Sequence, residues 1–387
     1  MTSSDSPAVP ALKRARSTVA DARRVVVKIG SSSLTTVEGG LDKENLVRLA
    51  DALARHRAAG HEVILVSSGA VAAGLDPMGL AERPGDLATK QAAAAVGQGL
   101  VMAAYWDAMR VHDVVPAQVL LTADDLNRRT HYRNAQRAIE RLLSLDMFPI
   151  VNENDAVATS EIRFGDNDRL AALVAHLTHA DALVLLSDVP ALYTAPPGTP
   201  GAQVVDFVEN REALEDYGIG GTGAAGTGTG GMETKVQAAT MAADSGIPTV
   251  LTSAANVEAA LDGDEIGTYF GVTHKRRSKR VLWIGHLAKP VGTIRVDAGA
   301  VKALSRRGTS LLAVGVTGIE GDFDAGDPVD IVGPQGEQFA RGLVNFSADE
   351  LPSMFGLTTE ELEEKFGEDF VKEVVHRNDL MLTDAVF

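Results

Sequence analysis

Short runs of β-branched and aliphatic residues alternate with longer stretches whose apolar residues recur every three or four positions, from about residue 24 to about 270. Val25-Val26-Val27 is the first run and ends in Lys28 and Gly30. The spacing of Leu46, Leu49 and Leu53 predicts a helix over 42–58, with Asp42 as its N-cap and Gly60 as its stop. A strand over 62–66 ends in Ser67-Ser68-Gly69. An alanine-rich helix over 87–110, a strand over 114–121 and a polar helix over 132–145 follow. The strand over 148–151 ends in Asn152-Glu153-Asn154-Asp155. A helix over 168–177 leads to a strand over 182–186 that ends in Ser187-Asp188, and a helix over 233–243 leads to a strand over 248–251. Strands that are short, apolar on both faces and separated by helices make a mostly parallel sheet covered on both sides. The expected fold class is α/β: a mostly parallel open sheet with helices on both faces.

The pattern changes near residue 271. His274 opens a run, HKRRSKR, with five basic residues in seven. Beyond it the helical alternation stops, and strand-like runs follow at 292–296, 311–315, 328–332 and 338–345, several of them separated by Gly-Asp turn signals. The tail from Leu351 is acidic and reads as partly helical. The expected organisation is a disordered head (1–23), an α/β domain (24–272), a basic linker (273–291) and a small β-rich domain with an acidic tail (292–387).

Charge and composition remove several function classes. Lys and Arg total 36 and Asp and Glu 52, a formal charge of −16, which argues against a main task of coating nucleic acid or an anionic membrane. Within 292–387 there are 8 Lys/Arg against 18 Asp/Glu, so charge speaks against RNA binding by the second domain, short of a local basic patch. There is no Cys, which excludes disulfides, thiolate catalysis and Cys-ligated zinc. His176 and His179 do not form an H-E-x-x-H frame and read as structural, and no metal ligands are assigned. No apolar run is long enough to span a bilayer and the first 24 residues lack a continuous apolar stretch, so a cytoplasmic protein is expected.

Chemistry-bearing residues stand where four predicted strands stop: Lys28-Ile29-Gly30-Ser31, Ser68-Gly69-Ala70, Asn152 to Asp155, and Ser187-Asp188. In open α/β sheets, ligands bind outside the carboxyl ends of the strands, so these clusters should line one crevice. Gly30 lets the backbone approach a phosphate, and the amides and hydroxyls from Ser31 onward could donate to it. The ordinary alternative at each cluster is a polar loop or an Asx-turn, which accounts for one or two of the four. The stretch 218–231, GIGGTGAAGTGTGG, holds eight Gly in fourteen and contains Gly221-x-Gly223-x-x-Gly226. No strand precedes it, so a nicotinamide site is set aside. It reads instead as a flap that delivers the chain to a helix beginning near Gly230-Gly231-Met232-Glu233-Thr234-Lys235. A cation in a helix's first turn is electrostatically unfavourable, which suits Lys235 to an anionic partner. Asp166 and Asp168 flank the start of another helix; one of them suffices for capping.

Taken together, VKIGS from Val27, VSSGAVAAG from Val66, Lys90-Gln91 with AVGQ from Ala95, VNEND from Val151, FGDND from Phe164 and GGMETK from Gly230 resemble the glutamate 5-kinase family of the amino acid kinase superfamily. The part from Gly292 resembles a PUA domain, a small β-barrel. The resemblance runs in order over about 24–384. It implies ATP-dependent phosphorylation of the glutamate side-chain carboxylate, the first step of proline synthesis. It also implies Mg²⁺ dependence, feedback inhibition by proline and a homo-oligomer, dimer or tetramer. Carried over by motif, Lys28, Gly30, Ser31, Ser187, Asp188 and the run Thr229, Gly230, Gly231, Met232, Glu233, Thr234, Lys235 would hold ATP. Ser68, Gly69, Asn152, Asp155 and Asn167 would hold glutamate. Lys28 and Lys235 would act on the migrating phosphoryl group, with Asp168 orienting both. The family pattern has Gly before Leu192-Tyr193-Thr194 and Asp after it; here Ala191 precedes and Ala195-Pro196-Pro197 follows. Other members of the superfamily, acting on acetylglutamate, aspartate or a nucleotide, are the alternative reading.

Overall fold

A computed structural model describes residues 16–36, 40–82, 84–122, 125–126, 129–157, 167–210, 213–214, 230–272, 290–307, 309–367 and 370–382. The chain divides into two compact units, Met1–Arg276 and Arg277–Phe387.

The first unit is built from β–α–β crossovers. β1 (Arg24–Ile29), α1 (Lys43–Ala58), β2 (Glu62–Val66), α2 (Ala70–Leu75), α3 (Leu87–Met109), β3 (Pro116–Leu121), α4 (Arg129–Ser144), β4 (Phe148–Glu153), α5 (Asn167–Leu177) and β5 (Ala182–Ser187) follow in order. The small strands β6 (Leu192–Tyr193), β7 (Val204–Val205) and β8 (Phe207–Val208) precede α6 (Gly230–Asp244), β9 (Thr249–Ser253), α7 (Val257–Leu261) and β10 (Thr268–Phe270). The main sheet has the order β3-β4-β2-β1-β5-β9-β10-β8. From β3 to β9 every pairing is parallel; β10 runs antiparallel to β9. β1 lies at the centre, and Lys28 pairs with Val66 on one side and Leu185 on the other.

The sequence accounts for these elements locally. Asp42 accepts from the Asn45 amide at 2.9 Å and Asp86 from the Thr89 amide at 2.8 Å, so α1 and α3 begin on side-chain caps. Leu46, Leu49 and Leu53 of α1 are buried against Val25, Val27 and Val63 in one core. Residues 16–20 are helical, and Val19 and Ala22 are buried in the same core, so ordered structure begins before residue 24; 1–15 lie outside the described residues. α2 crosses α3 through Gly74 and Gly97. A β-carbon on Gly97 would collide with the Ala70 carbonyl, and one on Gly74 with the Ala93 carbonyl. That close crossing fixes the start of α2, where Gly69 takes a positive φ of 91°.

The second unit holds β11 (Gly292–Val296), α8 (Ala298–Arg307), β12 (Val316–Gly321), β13 (Pro328–Val332), β14 (Gln338–Val344), α9 (Thr359–Phe366) and β15 (Val375–Leu382). Its sheet has the order β12-β11-β13-β14-β15 around a separate core that includes Ile294, Val329, Ile331 and Phe339. Two expectations are corrected here. The run 311–315 is not a strand: Leu311 makes one isolated bridge and the strand starts at Val316. α8 shows that helix continues beyond residue 271. The acidic tail is partly helical, through the capped helix α9, and also carries β15. Of the expected basic linker (273–291), residues 273–289 lie outside the described residues. Among the described residues no helix is long and apolar enough to cross a membrane.

Candidate active site

The carboxyl ends of β1, β2, β4 and β5 bring polar side chains to one edge of the sheet, and the first turns of α5 and α6 meet them there. Lys28 is the fifth residue of β1 and is buried, and Asp168 is the second residue of α5 and has no exposed surface. Lys28 Nζ lies 2.5 Å from Asp168 Oδ1. Lys235, in the second turn of α6, places its Nζ 3.0 Å from Asp168 Oδ2 and 3.0 Å from the Gly231 carbonyl. One carboxylate therefore holds two ammonium groups from elements far apart in the chain, and Thr234 Oγ1 stands 3.4 Å from the same Oδ2. Among the described residues the two ammonium groups and the carboxylate meet in a nearly dry environment, where charge interactions are strong.

Gly30 brings the backbone close to this centre: a β-carbon there would stand 3.6 Å from Lys28 Nζ. Ser31 starts a turn of 3-10 helix, and Ser33 Oγ reaches the Ser187 carbonyl at 3.5 Å, joining the ends of β1 and β5. Ser187 is buried and its hydroxyl donates to Asp188 Oδ1 at 3.0 Å, leaving the Asp188 side chain at the surface. Gly230 opens α6, with Gly231 and Glu233 exposed and Met232 half-buried behind it. Thr229 and the glycine-rich run before it lie outside the described residues, as do Gly165 and Asp166.

A second cluster adjoins the first through Asn167. Its Nδ2 donates to the Ser67 carbonyl at 3.0 Å, Ser68 Oγ at 2.9 Å and Asn152 Oδ1 at 3.1 Å. Gly69 follows Ser68 at the turn into α2, and Asp155 stands half-buried in the turn after β4. Contacts thus join Ser68, Asn152 and Asn167 in one set and Lys28, Lys235 and Asp168 in another, adjacent through the Asn167–Asp168 step; Asp155, Ser187 and Asp188 stand at the same strand ends. Among the described residues no group of three or more His, Asp or Glu is arranged to hold a metal ion.

Three participants are not among the site residues the sequence singles out. Gln98 Oε1 accepts from Asn152 Nδ2 at 2.8 Å, and Ser67 Oγ pairs with the Tyr105 hydroxyl at 2.9 Å. Burial pushes the Tyr105 phenol above its ordinary range, with the Ser67 bond working the other way. The trace of Gln98 in the sequence is one polar residue directly after Gly97, between the small and apolar runs 92–97 and 99–104 of the helix. Ala191, which departs from the family pattern, is 3% exposed and sits outside the positive-φ region, so alanine adds no backbone strain there.

Residues 23–253 match the amino acid kinase family, and residues 292–366 match the PUA domain. A glutamate 5-kinase of Streptomyces coelicolor is 54% identical over 368 residues, covering 95% of this chain and 98% of its own. One of Thermobifida fusca is 55% identical over 368 residues, covering 95% of each chain. One of Frankia casuarinae is 56% identical over 364 residues, covering 94% of this chain and 98% of its own. With identity at that level running through both units, the chain belongs to the amino acid kinase family and, within it, to the glutamate 5-kinases with a C-terminal PUA domain.

Proposed function

We propose that this chain transfers the terminal phosphoryl group of ATP to the side-chain carboxylate of L-glutamate, giving L-glutamyl 5-phosphate and ADP in the first step of proline biosynthesis. The observation that carries the mechanism is Asp168 clamped between Lys28 and Lys235 at the carboxyl edge of the sheet. A carboxylate is already a nucleophile near neutral pH, so the reaction needs no general base. Its barrier is the repulsion between two anions and the demand for in-line alignment, and phosphoryl transfer is served by positioning and fixed positive charge. A glutamate carboxylate oxygen attacks the γ-phosphorus as the bond to the ADP oxygen breaks. Lys28 and Lys235 lie on the migrating group, and Asp168 holds their ammonium groups in place. Gly30, Ser31, Ser187, Asp188 and the run from Thr229 to Lys235 hold ATP; Ser68, Gly69, Asn152, Asp155 and Asn167 hold glutamate.

Mg²⁺ enters this reading as part of the nucleotide substrate. The Asp168 oxygens each face a lysine, and the described residues offer no cage of three acidic or imidazole ligands. Mg²⁺ commonly rides on substrate phosphates with few protein ligands, which suits this donor set. Feedback inhibition by proline, a dimeric or tetrameric assembly and a cytoplasmic location belong to the same reading. The rival reading is a superfamily member acting on acetylglutamate, aspartate or a nucleotide such as UMP. Hydroxylamine trapping of the acyl phosphate, with these four acceptors offered in parallel and repeated with proline, separates them. Hydroxamate from glutamate alone is the expected result; hydroxamate or ADP from another acceptor in preference overturns the reading.

A further inference from the structure

The side chains of Gln98, Asn152 and Asn167 form a chain of amides whose direction is fixed. The Glu153 amide is an obligate donor, and it donates to Asn152 Oδ1 at 2.9 Å. Asn152 Nδ2 must then point away, and it donates to Gln98 Oε1 at 2.8 Å. At the other end the Ser67 carbonyl is an obligate acceptor, and it takes Asn167 Nδ2 at 3.0 Å. The same Nδ2 reaches Asn152 Oδ1, so both main-chain constraints agree. Asn167 is left presenting Oδ1, a buried atom with no hydrogen-bond partner among the described residues. A buried acceptor without a donor is costly and calls for a ligand that supplies one.

We propose that Gln98 is a positioning residue that locks this amide relay so that Asn167 Oδ1 accepts from the α-ammonium of the amino-acid substrate. This inference rests on the reading of the site as a glutamate kinase. Within that reading, the phosphates and both substrate carboxylates carry only acceptors. The α-ammonium is the single donor on glutamate. Asn167 is bonded to the ends of β2 and β4, and its neighbour Asp168 carries both lysines. Gln98 acts at a distance: it touches Asn152, which is 1% exposed, and accepts the hydrogen bond that Asn152 Nδ2 donates.

The test is the ratio of kcat/KM for L-glutamate to that for glutarate, which lacks the ammonium, measured by hydroxamate formation at fixed ATP. In Asn167→Leu the ratio falls roughly 10- to 100-fold, the worth of one hydrogen bond to a charged donor. In Gln98→Leu the KM for glutamate rises about 10-fold with the KM for ATP unchanged. Gln98→Glu keeps an acceptor for Asn152 Nδ2 and recovers the larger part of that loss. Absence of glutamate turnover in the wild-type chain overturns the parent reading and this inference with it. Wild-type turnover with a glutamate-to-glutarate ratio untouched in Asn167→Leu overturns this inference alone, and so does Gln98→Leu raising both KM values equally. Should Asn167→Leu not fold, the Gln98 pair decides by the same KM comparison.

Discussion

Lys28 Nζ lies 2.5 Å from Oδ1 of Asp168, and the two side chains are 2% and 0% exposed. Two ions so far from water repay their desolvation only with close geometry and further partners. Here a further partner is Lys235 on the other oxygen, so one carboxylate orders both ammonium groups.

Removing the shared anion should therefore cost stability as well as activity. In Asp168→Asn two buried ammonium groups lose their counter-charge, and breaking a buried ion pair from one side costs about 3–5 kcal/mol. Urea unfolding should show that loss, and added ATP should restore part of it. Unchanged stability would mean that Asp168 does not hold the lysines as described.

The crossing of α2 and α3 should tolerate no side chain. Gly97→Ala puts a β-carbon into the Ala70 carbonyl and against the Gly74 nitrogen, both backbone atoms of α2. Overpacking of this kind costs about 1–3 kcal/mol or more, and the displaced start of α2 carries Gly69 and Ser68 with it. A lowered Tm together with a raised KM for glutamate is expected. Gly99→Ala, where the added carbon meets open space, serves as the control and should change neither.

His56 makes stability depend on acid. Burial lowers its pKa from 6.5 to about 4, with the neighbouring His61 ring adding to the fall and Asp262 opposing it. The ring stacks on His61 at a centroid distance of 4.0 Å, and its buried Nε2 has no hydrogen-bond partner among the described residues. The unfolded chain thus takes up a proton near pH 6.5 and the folded chain only near 4. The contribution of the neutral ring is full above about pH 6.5 and is lost as pH falls toward about 4. Urea unfolding of the wild type between about pH 7 and about pH 5 should lose more stability than His56→Gln does over the same interval. Equal losses would contradict the assignment.

Much of this was legible because strand ends in an α/β sheet are chemically distinctive. Lys28 after three valines and Lys235 after two glycines stand out in the sequence, and the fold brings both to Asp168. What the hydrophobic pattern hid has physical reasons. α2 is six small or apolar residues, too short and too uniform to show a helical period, and it is held by its crossing with α3. β15 carries His376, Arg377 and Asp379 in a strand paired on one side, so its charges read as a polar tail. Gln98 escaped because its part in the site depends on which way an amide points. That is set by the Glu153 main chain, far off in sequence.

The most direct measurement is the rate of hydroxamate formation from ATP and glutamate in Lys28→Met and Lys235→Met, each beside a circular dichroism melt. Each substitution leaves Asp168 with one lysine and should keep the chain folded. The expected result is a loss of at least about 100-fold in kcat for each, the scale on which a preorganised charge at the transferring group acts. Wild-type kcat in either folded variant would contradict the two-lysine clamp as the catalytic device.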